Sequence, residues 1–181
     1  MDLGLSGKTA FITGGSAGIG YGIARSLIAE GASVAVCARD PERLAKAATD
    51  LGAYGAVADV TDPEQLRRAI DDAAERLGGL DLLVANAGGA RGGDLLESTP
   101  EDWTATYALN VLHAAHAVRC AVPHFERRGG GREDFPAGRL VTLDEVADAA
   151  CFLLSPRGSG INGVNVPVDG AQDHPGARRF F

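Results

Sequence analysis

Residues 13–20 read Thr13-Gly14-Gly15-Ser16-Ala17-Gly18-Ile19-Gly20, and the chemistry open to them is phosphate binding. Glycines at 14, 18 and 20 let the backbone turn sharply and let a pyrophosphate reach the amides at a helix start. Unpaired N–H groups and the positive end of the helix dipole favour the negative charge there. A short run at 8–12 precedes the turn and an amphipathic run, Tyr21 to Glu30, follows it, so the order is strand, glycine turn, helix. That context predicts a dinucleotide site. A second polar group, Ala38-Arg39-Asp40, ends the next apolar run. An acid at that place bonds the ribose hydroxyls of NAD, whereas an arginine pairs with a 2′-phosphate. Arg39 favours NADP(H) over NAD(H), and the adjacent Asp40 keeps NAD(H) open.

Other chemistry-bearing residues carry less. His113, His116 and His124 lie in one helical stretch, and metal ligation by this trio is not expected. The segment Arg127-Arg128-Gly129-Gly130-Gly131-Arg132 resembles RNA-binding Arg-Gly stretches, yet no aromatic residues interleave it for stacking; a solvated loop is expected. Arg91 could meet an anionic substrate or be an ordinary exposed loop residue.

These residues must be held by alternating strands and helices. Strands are predicted at about 8–12, 33–37, 54–58 and 81–85. Helices are predicted at about 18–30, 41–51 with Asp40 as N-cap, and up to 77 with a capping box from Thr61 to Glu64. Thr99-Pro100-Glu101-Asp102 caps a long helical region to about 128, with a break expected near Asn110. Thr142 to Glu145 forms another capping box, its helix reaching about 154, and 161–168 reads as a final strand. Repeated βα units with near-continuous apolar strands imply a parallel sheet covered on both faces. The fold class is α/β, a Rossmann-type sheet, and the chain is expected to be one domain over 1–181.

Composition agrees and excludes other classes. The chain has 181 residues, 45% of them apolar, and a net charge of −7. That length supports a full core, and an acidic surface repels nucleic acid. The scattered Cys37, Cys120 and Cys151 are expected to be reduced, buried thiols. No apolar run approaches the roughly 18 residues of a membrane helix, and the N-terminus lacks a signal peptide's apolar core. A cytoplasmic protein without membrane contact is expected.

Taken in order, the motifs resemble the short-chain dehydrogenase/reductase family in its classical branch. The glycine motif matches at every fixed position, which implies that Thr13, Gly14, Ser16, Gly18, Ile19 and Gly20 build the cofactor turn. Asp59-Val60 resembles the pair that contacts the adenine ring; Asp59 could also be a strand-end turn residue. Asn86-Ala87-Gly88 resembles the family's Asn-Ala-Gly motif beside the cofactor. Asn110, seven residues after Trp103, is similar to the helix Asn of the family's catalytic tetrad. Segments 143–147, 152–155 and 162–170 resemble its last helix and strand. The resemblance covers about 1–130 and 138–171. It implies an oxidoreductase acting on carbonyl or alcohol substrates, with a dinucleotide cofactor, a small-molecule substrate and, as an open point, homo-oligomers. The family's additional basic residue inside the glycine turn is missing, as position 17 is Ala.

One departure matters more than the matches. The family's chemistry needs a Tyr, a Lys four residues later on the same helix face, and a Ser. Tyr21, Tyr54 and Tyr107 are followed four residues on by Arg25, Ala58 and Val111, and four residues before Lys8 and Lys46 stand Gly4 and Glu42. Asn110 is therefore the only tetrad member that the resemblance places on this chain. About two βα units, on the order of 60 residues, are expected to be missing at a deletion-like junction near 129–138. Efficient hydride transfer is then not expected. A nucleotide-binding or partner-binding protein, or an inactive shortened product, stays open beside the enzyme.

Overall fold

Short runs of buried apolar residues alternate with capped amphipathic helices. The structure, a computed structural model, describes residues 3–94 and 96–129; all but Gly129 fall in the compact unit Met1–Arg128. Strands β1 (Thr9–Thr13), β2 (Ser33–Ala38), β3 (Tyr54–Val57) and β4 (Leu82–Val84) form a parallel sheet in the order β3-β2-β1-β4. Phe11 stands opposite both Ala35 and Leu83. All five residues of β1 are buried, as a central strand covered on both faces requires. Its side chains alternate between two cores. Ala10 and Ile12 pack with Ala24, Val36 and Leu44 on the side of α1 (Gly18–Ala29) and α2 (Pro41–Leu51). Phe11 packs with Leu66, Ile70, Ala117 and Ala121 on the side of α3 (Pro63–Leu77) and α5 (His113–Arg127). Helices thus cover both faces of a Rossmann-type sheet.

Local sequence explains most helix starts. Asp40 caps α2, its carboxylate accepting from the Glu42 and Arg43 amides. Thr99 caps α4 (Pro100–Tyr107) in a reciprocal capping box with Asp102. At α3 the structure corrects the expectation of a Thr61–Glu64 box. Asp62 is the cap, accepting from Glu64 N at 2.9 Å and Gln65 N at 3.1 Å. Pro63 opens the helix and forces the residue before it into extended backbone, where the cap belongs. Thr61 instead donates its amide and hydroxyl to Asp59.

The break expected near Asn110 is a π-helical turn, Ala108–Leu112, between α4 and α5. The buried face of α5 carries His113, Ala117, Ala121 and His124. Val111, Ala115 and Val118 on the other side are exposed. Arg128 ties the end of α5 to Asp81 at 3.0 Å, and Asp81 also accepts from Thr9 N and Oγ1 at 2.9 and 2.8 Å. Burial pushes the Asp81 carboxyl up, but the bonds from Arg128 and Thr9 outweigh it and hold it at about 2.

Among the described residues β4 pairs with β1 alone, and no helix is long and apolar enough to cross a membrane. The junction beyond Gly129, the last helix and strand read from the sequence, and Cys151 lie outside the described residues.

Candidate functional site

Three helices, α2, α3 and α4, begin with a side-chain cap; α1 does not. Its N-cap, Ala17, offers no side-chain acceptor, and no acid stands in the first turn. The first amides of a helix have no partner within it, so those of α1 remain available to an anion. The glycine turn sets them at the end of β1. Gly14 and Gly18 take φ of 70° and 58°, the left-handed region that a Cβ disfavours. Gly20 is needed for space, since a Cβ there would lie 2.5 Å from both Gly14 O and Asn86 Nδ2.

In front of this turn is a cleft of about 350 Å³. Gly14, Ser16, Arg39, Val60, Asn86, Ala87 and Gly88 all line it, which brings together the glycine turn and the ends of β2, β3 and β4. Ile19 is 77% exposed at the start of α1. Thr13, Gly18, Ile19, Gly20, Asp59 and Asn110 are not among the lining residues. Asp59 stands beside the cleft, its Oδ2 3.9 Å from Arg39 Nη1. Burial raises its carboxyl, but bonds from Thr61 and the Arg39 charge outweigh that and lower its pKa.

Thr13 is fully buried beneath the cleft. Its Oγ1 accepts from Asn86 N at 2.9 Å and Ala87 N at 3.0 Å, and it lies 3.2 Å from His113 Nε2. Asn86 answers by donating Nδ2 to Thr13 O at 3.0 Å. The Asn-Ala-Gly turn is thereby stapled to the glycine turn. Asn110 does the same from behind: its Nδ2 donates to Gly89 O at 2.6 Å and Thr106 O at 2.7 Å, and its Oδ1 accepts from Gly89 N at 3.2 Å. Every polar atom of that amide side chain is used within the fold.

His113 was legible only as one of three helical histidines. In the π-turn its own amide bonds Ala108 O, five residues back, which leaves Leu109 O without its α-helical donor. The His113 ring fills the gap, with Nδ1 on Leu109 O. A carbonyl only accepts, so Nδ1 carries the proton, and Nε2 accepts the one hydrogen of Thr13. Burial lowers the pKa of this imidazole, the Leu109 bond opposing it. His124 bonds Asp71 instead, at 2.8 Å. Among the described residues no cluster could hold a metal ion.

Arg43, Ala58 and Leu109 line the cleft and escaped the sequence reading. Arg43 could have been found from its place in the first turn of a helix capped by Asp40. Leu109 had no such signal. Arg91 lines a separate depression of about 190 Å³ with Ser98, Trp103 and Thr106. Cys37 is buried, its thiol pushed to about 12 by burial, and Cys120 is half-buried.

Comparison with known proteins agrees with this geometry. The short chain dehydrogenase family matches residues 8–132, and the family described as enoyl-(acyl carrier protein) reductase matches 130–171. The chain is 39% identical over 130 residues to L-2,3-butanediol dehydrogenase of Corynebacterium glutamicum, covering 67% of this chain and 50% of that protein. It is 35% identical over 135 residues to D-beta-hydroxybutyrate dehydrogenase of Cupriavidus necator, covering 71% and 52%. L-sorbose reductase from Gluconobacter frateurii, solved with NADPH and L-sorbose, is similar with a TM-score of 0.67 and 37% identity over 72% of this chain and 52% of that one. A short chain dehydrogenase from Burkholderia cenocepacia, solved with NADP, has a TM-score of 0.63 and 41% identity over 66% and 51%. The chain spans about half the length of these relatives. With an uncapped helix behind a glycine turn and these matches along its first two thirds, the chain belongs to the short-chain dehydrogenase/reductase family of oxidoreductases.

Proposed function

We propose that the chain binds the adenosine half of a nicotinamide dinucleotide, NADP(H) in preference to NAD(H), in the cleft between the glycine turn and the ends of β2–β4. The observation that carries this is the bare N-terminus of α1, beside three helices whose first amides are capped. Thr13, Gly14, Ser16, Gly18, Ile19 and Gly20 shape the phosphate turn, Val60 and Asp59 flank the adenine, and Asn86, Ala87 and Gly88 border the path toward the nicotinamide. Relatives solved with NADPH and NADP support the cofactor class. The protein is cytoplasmic in this reading.

By lineage the substrate is a small carbonyl or alcohol. Unaided turnover is slow, because the chain contains no Tyr-x-x-x-Lys and a lost proton donor costs about a hundred- to ten-thousand-fold. The two family matches overlap at 130–132, which supports a junction there. Asn110 supports a structural role as well as its lineage role, since its amide is committed to Gly89 and Thr106.

Fluorescence titration with NADPH and NADH tests the binding, and NADPH oxidation with a small diketone tests turnover. Tight NADPH binding with weak or no oxidation is expected; absence of binding refutes the reading. A non-catalytic, partner-binding role is favoured by one observation, the exposed Trp103, Tyr107, Val111 and Val118 along α4, the π-turn and α5. Such a stripe suits a second copy of the chain, and light scattering on the same samples reads the mass. A monomer at all concentrations removes that part.

A further inference from the structure

A threonine hydroxyl has two lone pairs and one hydrogen, and at Thr13 the fold uses all of them. The lone pairs accept from Asn86 N and Ala87 N, and the hydrogen goes to His113 Nε2, its one acceptor among the described residues. The direction of that hydroxyl therefore depends on the charge of His113. A neutral ring with its proton on Nδ1, toward Leu109 O, offers Nε2 as an acceptor. A protonated ring donates from both nitrogens. Its Nε2–H would meet a hydroxyl whose lone pairs are taken and whose hydrogen has lost its acceptor. Relief requires Thr13 to release the Asn86 or the Ala87 amide.

That release would be felt in the cleft. Asn86 also donates Nδ2 to Thr13 O and Gly14 O, at 3.0 and 3.3 Å, and Gly14, Asn86 and Ala87 all line the cleft. The two turns are pressed together, since a Cβ on Gly14 would lie 3.0 Å from Ala87 Cα. Slackening the Asn-Ala-Gly turn moves the wall that faces the glycine turn.

No neighbouring charge sets the state of the ring. β1, β4 and the π-turn contain no ionisable residue. Cys37, opposite Thr13 on β2, stays a thiol. Asp71, Arg67 and Glu64 of α3 and Arg119 of α5 act on Cys120, two turns along α5, and Asp71 is bonded to His124. His116, on the next turn of α5, is half-buried, and Arg91, beyond the Asn-Ala-Gly turn, and Tyr107, at the end of α4, are exposed. Burial, opposed by the Leu109 bond, governs His113 and favours its neutral form.

We infer that His113 is a positioning residue for nucleotide binding: as the neutral imidazole it orients the Thr13 hydroxyl that holds the Asn-Ala-Gly turn, and nucleotide entering the cleft drives the proton of a charged His113 into solvent. This rests on the dinucleotide reading above and deepens it with a proton linkage. Affinity is full above the pKa of the ring and declines as pH falls through it. By reciprocity, bound nucleotide makes the ring harder to protonate. Simple attraction predicts the opposite sign, since a bound pyrophosphate favours positive charge nearby.

Calorimetric titration of the full chain with ADP-ribose, from about pH 8 down to the onset of acid unfolding, in paired buffers of different ionisation enthalpy, counts the protons moved. ADP-ribose carries no phosphate monoester, whose own titration near about pH 6 would mask the effect. No proton moves at the alkaline end. Toward the acid end a proton is released on binding and affinity falls about tenfold, the size of a typical coupling. His113→Phe removes the acceptor and binds about tenfold more weakly at every pH. His113→Gln, whose amide oxygen accepts without titrating, regains part of that affinity and releases no proton. Affinity flat with pH, proton uptake on binding, or the same release in His113→Gln overturns the assignment, and the first two outcomes need no variant. Binding without proton release removes the role of His113 alone. If ADP-ribose does not bind even at the alkaline end, the dinucleotide reading falls and this inference with it.

Discussion

Replacing Thr13 by Val keeps the shape of the side chain and removes one oxygen and one hydrogen. That oxygen accepts from Asn86 N at 2.9 Å and Ala87 N at 3.0 Å, and its hydrogen goes to His113 Nε2 at 3.2 Å. Thr13 is fully buried and His113 nearly so, so water cannot replace the lost partner of the imidazole. The two amides belong to half-buried residues and recover part of their hydration. An unsatisfied buried group costs about 1–3 kcal/mol. Three groups, two of them at the low end, give about 3–5 kcal/mol. That is a large share of the 5–15 kcal/mol, roughly, that holds a domain together. Urea unfolding of the whole chain reads it, as a midpoint lowered by about 1 M or more at unchanged slope. Thr13→Ser keeps the hydroxyl and should lose much less. A Thr13→Val loss below about 1 kcal/mol would refute the hub, for it would mean that the three bonds contribute nothing net. Because the hub joins the two turns that border the cleft, NADPH affinity should fall with it.

Two further expectations follow from the same geometry. His113 is held neutral, its pKa lowered by burial, so the unfolded chain takes up a proton near pH 6.5 that the folded chain refuses. This contribution to stability is complete above that pH and is lost as pH falls toward the folded pKa; urea midpoints between pH 7.5 and 5.5 check it, and His113→Phe should flatten that slope. Gly20→Ala pushes a methyl to 2.5 Å from Gly14 O and Asn86 Nδ2 and should cost about 1–3 kcal/mol together with most nucleotide affinity. Gly22→Ala, whose Cβ meets nothing within 4 Å, should instead stabilise α1 by about 0.5–1 kcal/mol; equal behaviour of the two alanines in thermal melts would contradict the close approach at Gly20.

What the sequence determined by itself is what neighbours along the chain decide. The glycine turn, the Asp40 cap, the Thr99 box and the break at Asn110 each depend on residues within about one or two helical turns, and each is legible without tertiary contacts. The same locality explains the error at α3. Thr61, Asp62 and Pro63 offer two adjacent caps, and only the proline's grip on the preceding backbone chooses Asp62. Tertiary structure decided the rest. Thr13 and His113 are one hundred residues apart, and no periodicity announces that a helix register shifted by a π-turn will aim one ring at the end of β1. Arg43 becomes a cleft residue only when α2 is laid against the ends of β2 and β3. The physical reason is common to both. A turn or a cap is set by backbone dihedrals a few bonds away, whereas the partner of a side chain is set by how the sheet and helices pack.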